Sequence, residues 1–174
     1  MSAQLAAVVV TDLVSSTKLR SDLGEEAADL LHRAHARLLR DVAEAHGGWV
    51  VKCLGDGVLA RFGGAAGALA AAVAMQQAVE EQTPVVLRIG VSAGDVAVED
   101  DGDLLGTPVI EAARLCHAAR GGQILAAAVV PSLAHGRGGF AYEALGDMQL
   151  KGIPAPVSAV EVRWSARPRV ALAS

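Results

Sequence analysis

Aromatic residues are almost missing from this 174-residue chain, which has two Trp, one Tyr and two Phe, 3% in all. A stacking platform for single-stranded nucleic acid needs a row of rings, so that class of function is excluded. Cysteine is equally scarce. Cys53 and Cys116 form no CxxC pair, which implies no disulfide framework and makes the reducing cytoplasm the expected compartment. Basic charge is not in excess: 15 Lys and Arg stand against 19 Asp and Glu, a formal net charge of −4, which disfavours electrostatic capture of DNA or RNA. Long hydrophobic runs are absent too. The most apolar stretch, residues 65–79, is Ala-rich and carries Gln76 and Gln77; it is too short and too weakly apolar to span ~30 Å of hydrocarbon. Residues 1–5 show no basic segment leading into an apolar one. Neither a membrane nor a nucleic acid is expected as a partner.

What is present is aliphatic. Hydrophobic residues make up 52% of the chain, so the core is expected to consist of Ala, Val, Leu and Ile. With 20% charged residues on so much apolar surface, disorder is excluded. The 19 Gly point to tight turns and to places where backbone approaches something closely.

Residues 6–12 are apolar and β-branched until Thr11 and Asp12, which predicts a buried strand. Ser15, Ser16 and Thr17 are candidate helix N-caps. A helix is expected over residues 25–46, opened by Glu25 and Glu26 and stopped by Gly47 and Gly48. Its apolar stripe reads Leu30, Leu31, Ala34, Leu38, Val42 and Ala45, with His32 and His35 near the solvent face. Strands over 49–54 and 58–62 flank Gly55-Asp56-Gly57, a hairpin signal. A helix over 65–81 follows, then a second hairpin, 85–93 with 95–98, around Ala93-Gly94-Asp95. An acidic loop over 99–103, a helix over 109–119, a strand over 123–126, a short helix over 129–134 and strands over 142–150 and 158–162 complete the pattern. This gives an α/β (α+β) domain over residues 1–163: a ferredoxin-like βαββαβ core with a C-terminal extension, its mixed, antiparallel sheet flanked by helices. Residues 164–174 are expected to form a fraying tail.

Two aspartates stand out by position. Asp12 ends an apolar strand and Asp56 occupies a Gly-flanked hairpin tip. If the two ends lie side by side, their carboxylates can hold a hard cation such as Mg²⁺, with water or phosphate completing its shell. The residues alone leave open the plainer alternative, in which both are ordinary turn and capping residues; Asp95 is read as an ordinary turn residue. No phosphate-binding GxxxxGK[ST] loop, dinucleotide GxGxxG fingerprint or HExxH helix is present. Both cysteines adjoin apolar residues and are expected to pack rather than react.

Four segments in order, Val10-Thr-Asp-Leu-Val-Ser-Ser-Thr17, Val51-Lys-Cys-Leu-Gly-Asp-Gly57, Asp103-Leu-Leu-Gly-Thr-Pro-Val-Ile-Glu-Ala-Ala-Arg114 and Leu150-Lys-Gly152, resemble the catalytic domain of class III nucleotidyl cyclases. The resemblance covers residues 6–163 and is of the adenylate cyclase type. It implies a homodimer with active sites shared between subunits, converting ATP to 3′,5′-cyclic AMP and pyrophosphate. One chain would supply Asp12, Leu13 and Asp56 to two Mg²⁺ or Mn²⁺ ions, and residues Leu13, Val14, Ser15, Ser16 and Thr17 to the triphosphate. The partner would supply Lys52 and Asp103 to the purine, Arg114 to the reacting phosphate and Lys151 to the triphosphate tail. A Lys donor with an Asp acceptor suits adenine, which offers an acceptor at N1 and a donor at its 6-amino group, whereas guanine reverses both.

Ile110 departs from the family pattern, which places an Asn one helical turn before the arginine to orient the ribose. Losing that contact is expected to slow turnover by about 10 to 100-fold. The alternative that Ile110 supports is a catalytically weak or inactive nucleotide-binding or dimerisation module.

Overall fold

The computed structural model describes residues 2–164, so the expected tail lies, apart from Trp164, outside the described residues. The elements run β1 (Ser2–Leu13), α1 (Ser16–Leu23), α2 (Glu25–Ala45), β2 (Gly48–Cys53), β3 (Val58–Phe62), α3 (Ala65–Gln82) and β4 (Leu87–Val98). They continue with β5 (Leu104–Leu105), α4 (Thr107–Ala118), β6 (Ile124–Ala127), α5 (Val129–Ala134), β7 (Ala141–Met148) and β8 (Val157–Arg163). One sheet holds all the strands in the order β2-β3-β1-β4-β6-β8-β7, with β5 on β4. Its first four places are the expected ferredoxin-like arrangement. Every pairing is antiparallel except β4 with β6.

Alternation along β1 explains the two layers, because successive side chains of a strand point to opposite faces. Ala7, Val9 and Leu13 join the core formed with α2, α3 and α5, while Ala6, Val8 and Val10 pack with Leu59, Val96, Leu104, Ala112 and Cys116 under α4. Glycine lets α4 come down onto the sheet. A Cβ at Gly90 would lie 2.0 Å from the Ala112 carbonyl oxygen and 2.3 Å from the Cys116 nitrogen. Burial pushes the Cys116 thiol up to about 12, so it packs as an inert apolar group, as expected. Cys53, by contrast, is exposed.

Three expectations are corrected. The hairpin at Ala93-Gly94-Asp95 does not exist: β4 runs unbroken and pairs with β1 along its whole length, from Leu87 opposite Leu13 to Val98 opposite Ser2. Gly94 is there for space, since a Cβ would lie 3.0 Å from the Pro108 ring of α4. Ser15 caps nothing with its side chain. It adopts φ 61°, and an additional helix, α1, follows before Gly24 restarts the chain as α2.

The stripe of α2 is also rotated in part from the one expected: Leu31, Leu38 and Val42 pack half-buried against the core as expected, but they flank its centre. Ala28, His35, Leu39 and Ala43 are buried, whereas Leu30, Ala34 and Ala45 are exposed. His35, 3% exposed, is therefore a core residue, and neither ring nitrogen has a partner among the described residues. Burial first, then the neighbouring His32, lowers its pKa to about 4, against the pull of Asp56 in the other direction. A histidine held neutral in the fold and free to protonate when unfolded carries no protonation penalty above its unfolded pKa, and costs the fold increasing stability as pH falls through 6.5 toward 4. His35→Leu is expected to remove an unsatisfied buried group and raise stability at pH 7.5. It is also expected to flatten the loss between pH 7.5 and 5 by about 2 kcal/mol. Denaturant midpoints of both proteins at the two pH values check this, and parallel losses would contradict it.

Candidate active site

Asp12 and Asp56 come from ends that the backbone presses together. A Cβ at Gly57 would lie 1.7 Å from the Thr11 carbonyl oxygen and 3.1 Å from the Asp12 Cα, so the β2–β3 tip rests directly on the end of β1. The Val58 amide donates to Thr11 Oγ1 at 3.0 Å and pins the same contact. The fold thus meets the condition that the sequence left open: the two aspartates are neighbours.

Each carboxylate is held. Arg88, directly across from Asp12 on β4, donates to its Oδ2 from Nη2 at 2.6 Å and from Nε at 3.0 Å. Ser16, in the first turn of α1, donates from Oγ to Asp56 Oδ2 at 2.5 Å. His32, on α2, places Nδ1 3.3 Å from Asp56 Oδ1. His32 is therefore not a solvent-face residue; its side chain is 15% exposed and turned toward the site. Leu13 is buried and has only its backbone to offer, while Val14, Ser15 and Thr17 are exposed beside the carboxylates.

The donor set fits small hard divalent cations. Two carboxylates on adjacent ends, still carrying free lone pairs, match ions that take one or two protein carboxylates and complete their shell with phosphate and water. Among the described residues, no group of three or more His, Cys, Asp and Glu is placed to hold a metal, so a closed all-protein cage is not the arrangement.

Lys52 and Asp103, separated by 51 positions, meet in an ion pair with Nζ 2.6 Å from Oδ2. The Lys52 ammonium and then the Leu104 amide hold the Asp103 carboxyl below the usual carboxylate range, so it remains an anion that only accepts. Lys52 lies opposite Leu59, and Leu59 opposite Val10, which places Lys52 on the α4 face of the sheet. The backbone of β1 puts Asp12 on that face too. Arg114 reaches from α4 to the β7–β8 turn, where its Nη2 lies 3.7 Å from the position a Cβ on Gly152 would take. This sets it beside Lys151. Neither cation has a hydrogen-bond or ion-pair partner among the described residues.

Ile110, one turn before Arg114, is 51% exposed and offers no polar atom. The adjacent Glu111 cannot replace an Asn there, because it turns inward and accepts from Ser92 Oγ at 2.6 Å. Arg88 and His32 are the residues the sequence did not reveal. Beyond them the α4 face stays open, since α4 lies over β4, β1 and β6, while Trp49 on β2 is 46% exposed with the Arg61 guanidinium 4.7 Å from its ring centre.

Residues 2–162 match the model of the adenylate and guanylate cyclase catalytic domain. The chain belongs to that family. A Rhizobium meliloti (strain 1021) protein provisionally named adenylate cyclase 3 is 34% identical over 161 residues, covering 88% of this chain and 27% of its own length. The crystal structure of an adenylate/guanylate cyclase/hydrolase from Silicibacter pomeroyi is 32% identical with a TM-score of 0.77, covering 95% of this chain and 100% of that one. The adenylyl cyclase CyaB of P. aeruginosa shares the fold, with a TM-score of 0.82 at 24% identity over 96% of this chain and 98% of that one. The chain spans 27% to 41% of the length of the first curated relatives it matches.

Proposed function

We propose that this domain converts ATP to 3′,5′-cyclic AMP and pyrophosphate at sites shared between two copies of the chain. The observation that carries the choice of adenine is the Lys52–Asp103 pair, a donor and an acceptor held together on the sheet face that also carries Asp12. Adenine takes up both groups at once, its N1 accepting from Lys52 and its 6-amino group donating to Asp103. The provisional name of the Rhizobium meliloti relative supports the same choice.

Asp12, Asp56 and the Leu13 backbone would hold two Mg²⁺ or Mn²⁺ ions, which when bound neutralise phosphate charge and acidify the attacking hydroxyl. Arg88 neutralises Asp12 until then. The Val14 N–H is taken by the Val86 carbonyl at 2.9 Å, and residues 15–17 enter α1 with free backbone N–H groups, suited to the triphosphate oxygens. The ribose 3′-oxygen attacks the α-phosphorus, and the bond to the bridging oxygen of pyrophosphate breaks. Arg114 of the second copy would meet the charge that develops on the α-phosphoryl oxygens, and its Lys151 would hold the leaving pyrophosphate. Because nucleophile and electrophile belong to one molecule, the residues' main task is to fold it into line. The open α4 face over β2 and β3, with Trp49 exposed, supports a second copy as its cover.

The test is incubation with ATP or GTP and Mn²⁺, followed by identification of the cyclic product. Cyclic AMP is expected from ATP. The double variant Lys52→Glu, Asp103→Asn presents an acceptor for guanine N1–H and a donor for its O6. It is expected to move the ATP:GTP preference in kcat/KM by on the order of 10²-fold or more. Unchanged preference would refute the role of this pair.

A further inference from the structure

We infer that His32 is a positioning residue for Asp56: it fixes the plane of that carboxylate so that the remaining lone pairs of both oxygens face the cation. The inference rests on the proposed role of Asp56 as a cation ligand. Asp56 sits on a hairpin tip between exposed Gly55 and the tightly seated Gly57. The terminal torsion of an aspartate is soft, with a broad, two-fold profile, so the tip alone does not set the direction of the oxygens. Two side chains from different helices do. Ser16 Oγ of α1 takes Oδ2 at 2.5 Å, and His32 Nδ1 of α2 lies 3.3 Å from Oδ1.

The second ring nitrogen strengthens the argument. Nε2 of His32 is buried without a partner among the described residues. Nδ1 is the ring nitrogen turned toward Asp56, and Nε2 is left in the interior with nothing to pair with. An orphaned buried polar nitrogen costs stability, and an aliphatic residue at this position would avoid that cost. Packing therefore does not explain a histidine here, whereas a ring nitrogen set 3.3 Å from Asp56 Oδ1 does. His35, one turn further along α2, is the built-in comparison: it is buried, neither ring nitrogen has a hydrogen-bond partner, and it makes no hydrogen bond or ion pair to Asp56 among the described residues.

The probe is Mn²⁺ alone, titrated into the full chain and its variants, with free Mn²⁺ read by electron paramagnetic resonance. His32→Leu is expected to weaken Mn²⁺ binding about 10 to 100-fold without lowering the melting temperature. His32→Asn, whose amide N–H can donate from nearly the same place, is expected to recover affinity to within about 3-fold of the parent. His35→Leu is expected to leave Mn²⁺ affinity unchanged. In turnover assays His32→Leu should raise the half-saturating Mn²⁺ concentration while kcat at saturating Mn²⁺ stays near the parent value. Parent-like Mn²⁺ affinity in His32→Leu would overturn the inference, as would an equal loss in His35→Leu, which would mark a packing effect. Asp56→Asn separates the two levels. If it binds Mn²⁺ as the parent does, the cation-ligand role of Asp56 fails and the positioning role falls with it; if it loses Mn²⁺ while His32→Leu keeps it, only the positioning role fails.

Discussion

Asp56→Asn is expected to lower formation of cyclic AMP by on the order of 10³-fold while leaving the fold intact. The substitution keeps an oxygen for Ser16 Oγ and the volume of the hairpin tip, and removes only the charge and one acceptor. What is lost is the charge that brings cations beside Asp12, and with them compensation for charge on the phosphates. Asp12→Asn should lose as much activity but is the less clean change. It leaves Arg88, which donates from Nη2 and Nε to the one oxygen Oδ2, with a neutral amide in place of its counter-charge at the strand end. Turnover with circular dichroism melting on each variant checks both. Residual activity within tenfold of the parent in Asp56→Asn would remove the carboxylate pair from the account.

Arg114→Ala is expected to cost on the order of 10³-fold in kcat, the scale on which a single guanidinium stabilises charge in phosphoryl transfer. Arg114 is suited to that role by what it lacks: it reaches the backbone at Gly152 without forming an ion pair among the described residues. A guanidinium already neutralised within its own chain would have little left for a phosphate. Truncation should leave stability nearly unchanged, since no buried partner is orphaned, and should lower kcat far more than it raises KM for ATP. A variant whose kcat holds and whose KM alone rises would make Arg114 a binding residue instead.

Much of this was legible in the sequence because local chemistry and fold agree there. Asp12 after an apolar run and Asp56 between glycines announced themselves, and Gly57 did so for the reason now visible, its contact with the Thr11 carbonyl oxygen. Arg88 did not. A lone cation near the start of an apolar strand looks solvated, and its partner lies 76 positions away, reachable only once the β1–β4 register is known. That register was hidden by reading Gly94 as a turn, when it makes room for Pro108. His35 was legible in principle. Its spacing from Ala28, Leu39 and Ala43 is the helical period, but counting histidine as polar rotated the stripe of α2 outward. His32 then followed it to the wrong face. The extra helix α1 was missed because Ser15 breaks the chain with a left-handed backbone that no residue-type rule expects of serine.

The central claim is that one chain is only half of each site, carboxylates from one copy and Arg114 from the other. Mixing the two inactive variants tests it most directly. Asp56→Asn and Arg114→Ala, combined in equal amounts and allowed to exchange subunits, form mixed dimers in which one site has both defects and the other has none. The expected result is recovery to about a quarter of parent activity in the mixture, from two preparations that are each nearly silent. A mixture no more active than its components, with subunit exchange verified, would contradict the account and place the whole site within a single chain.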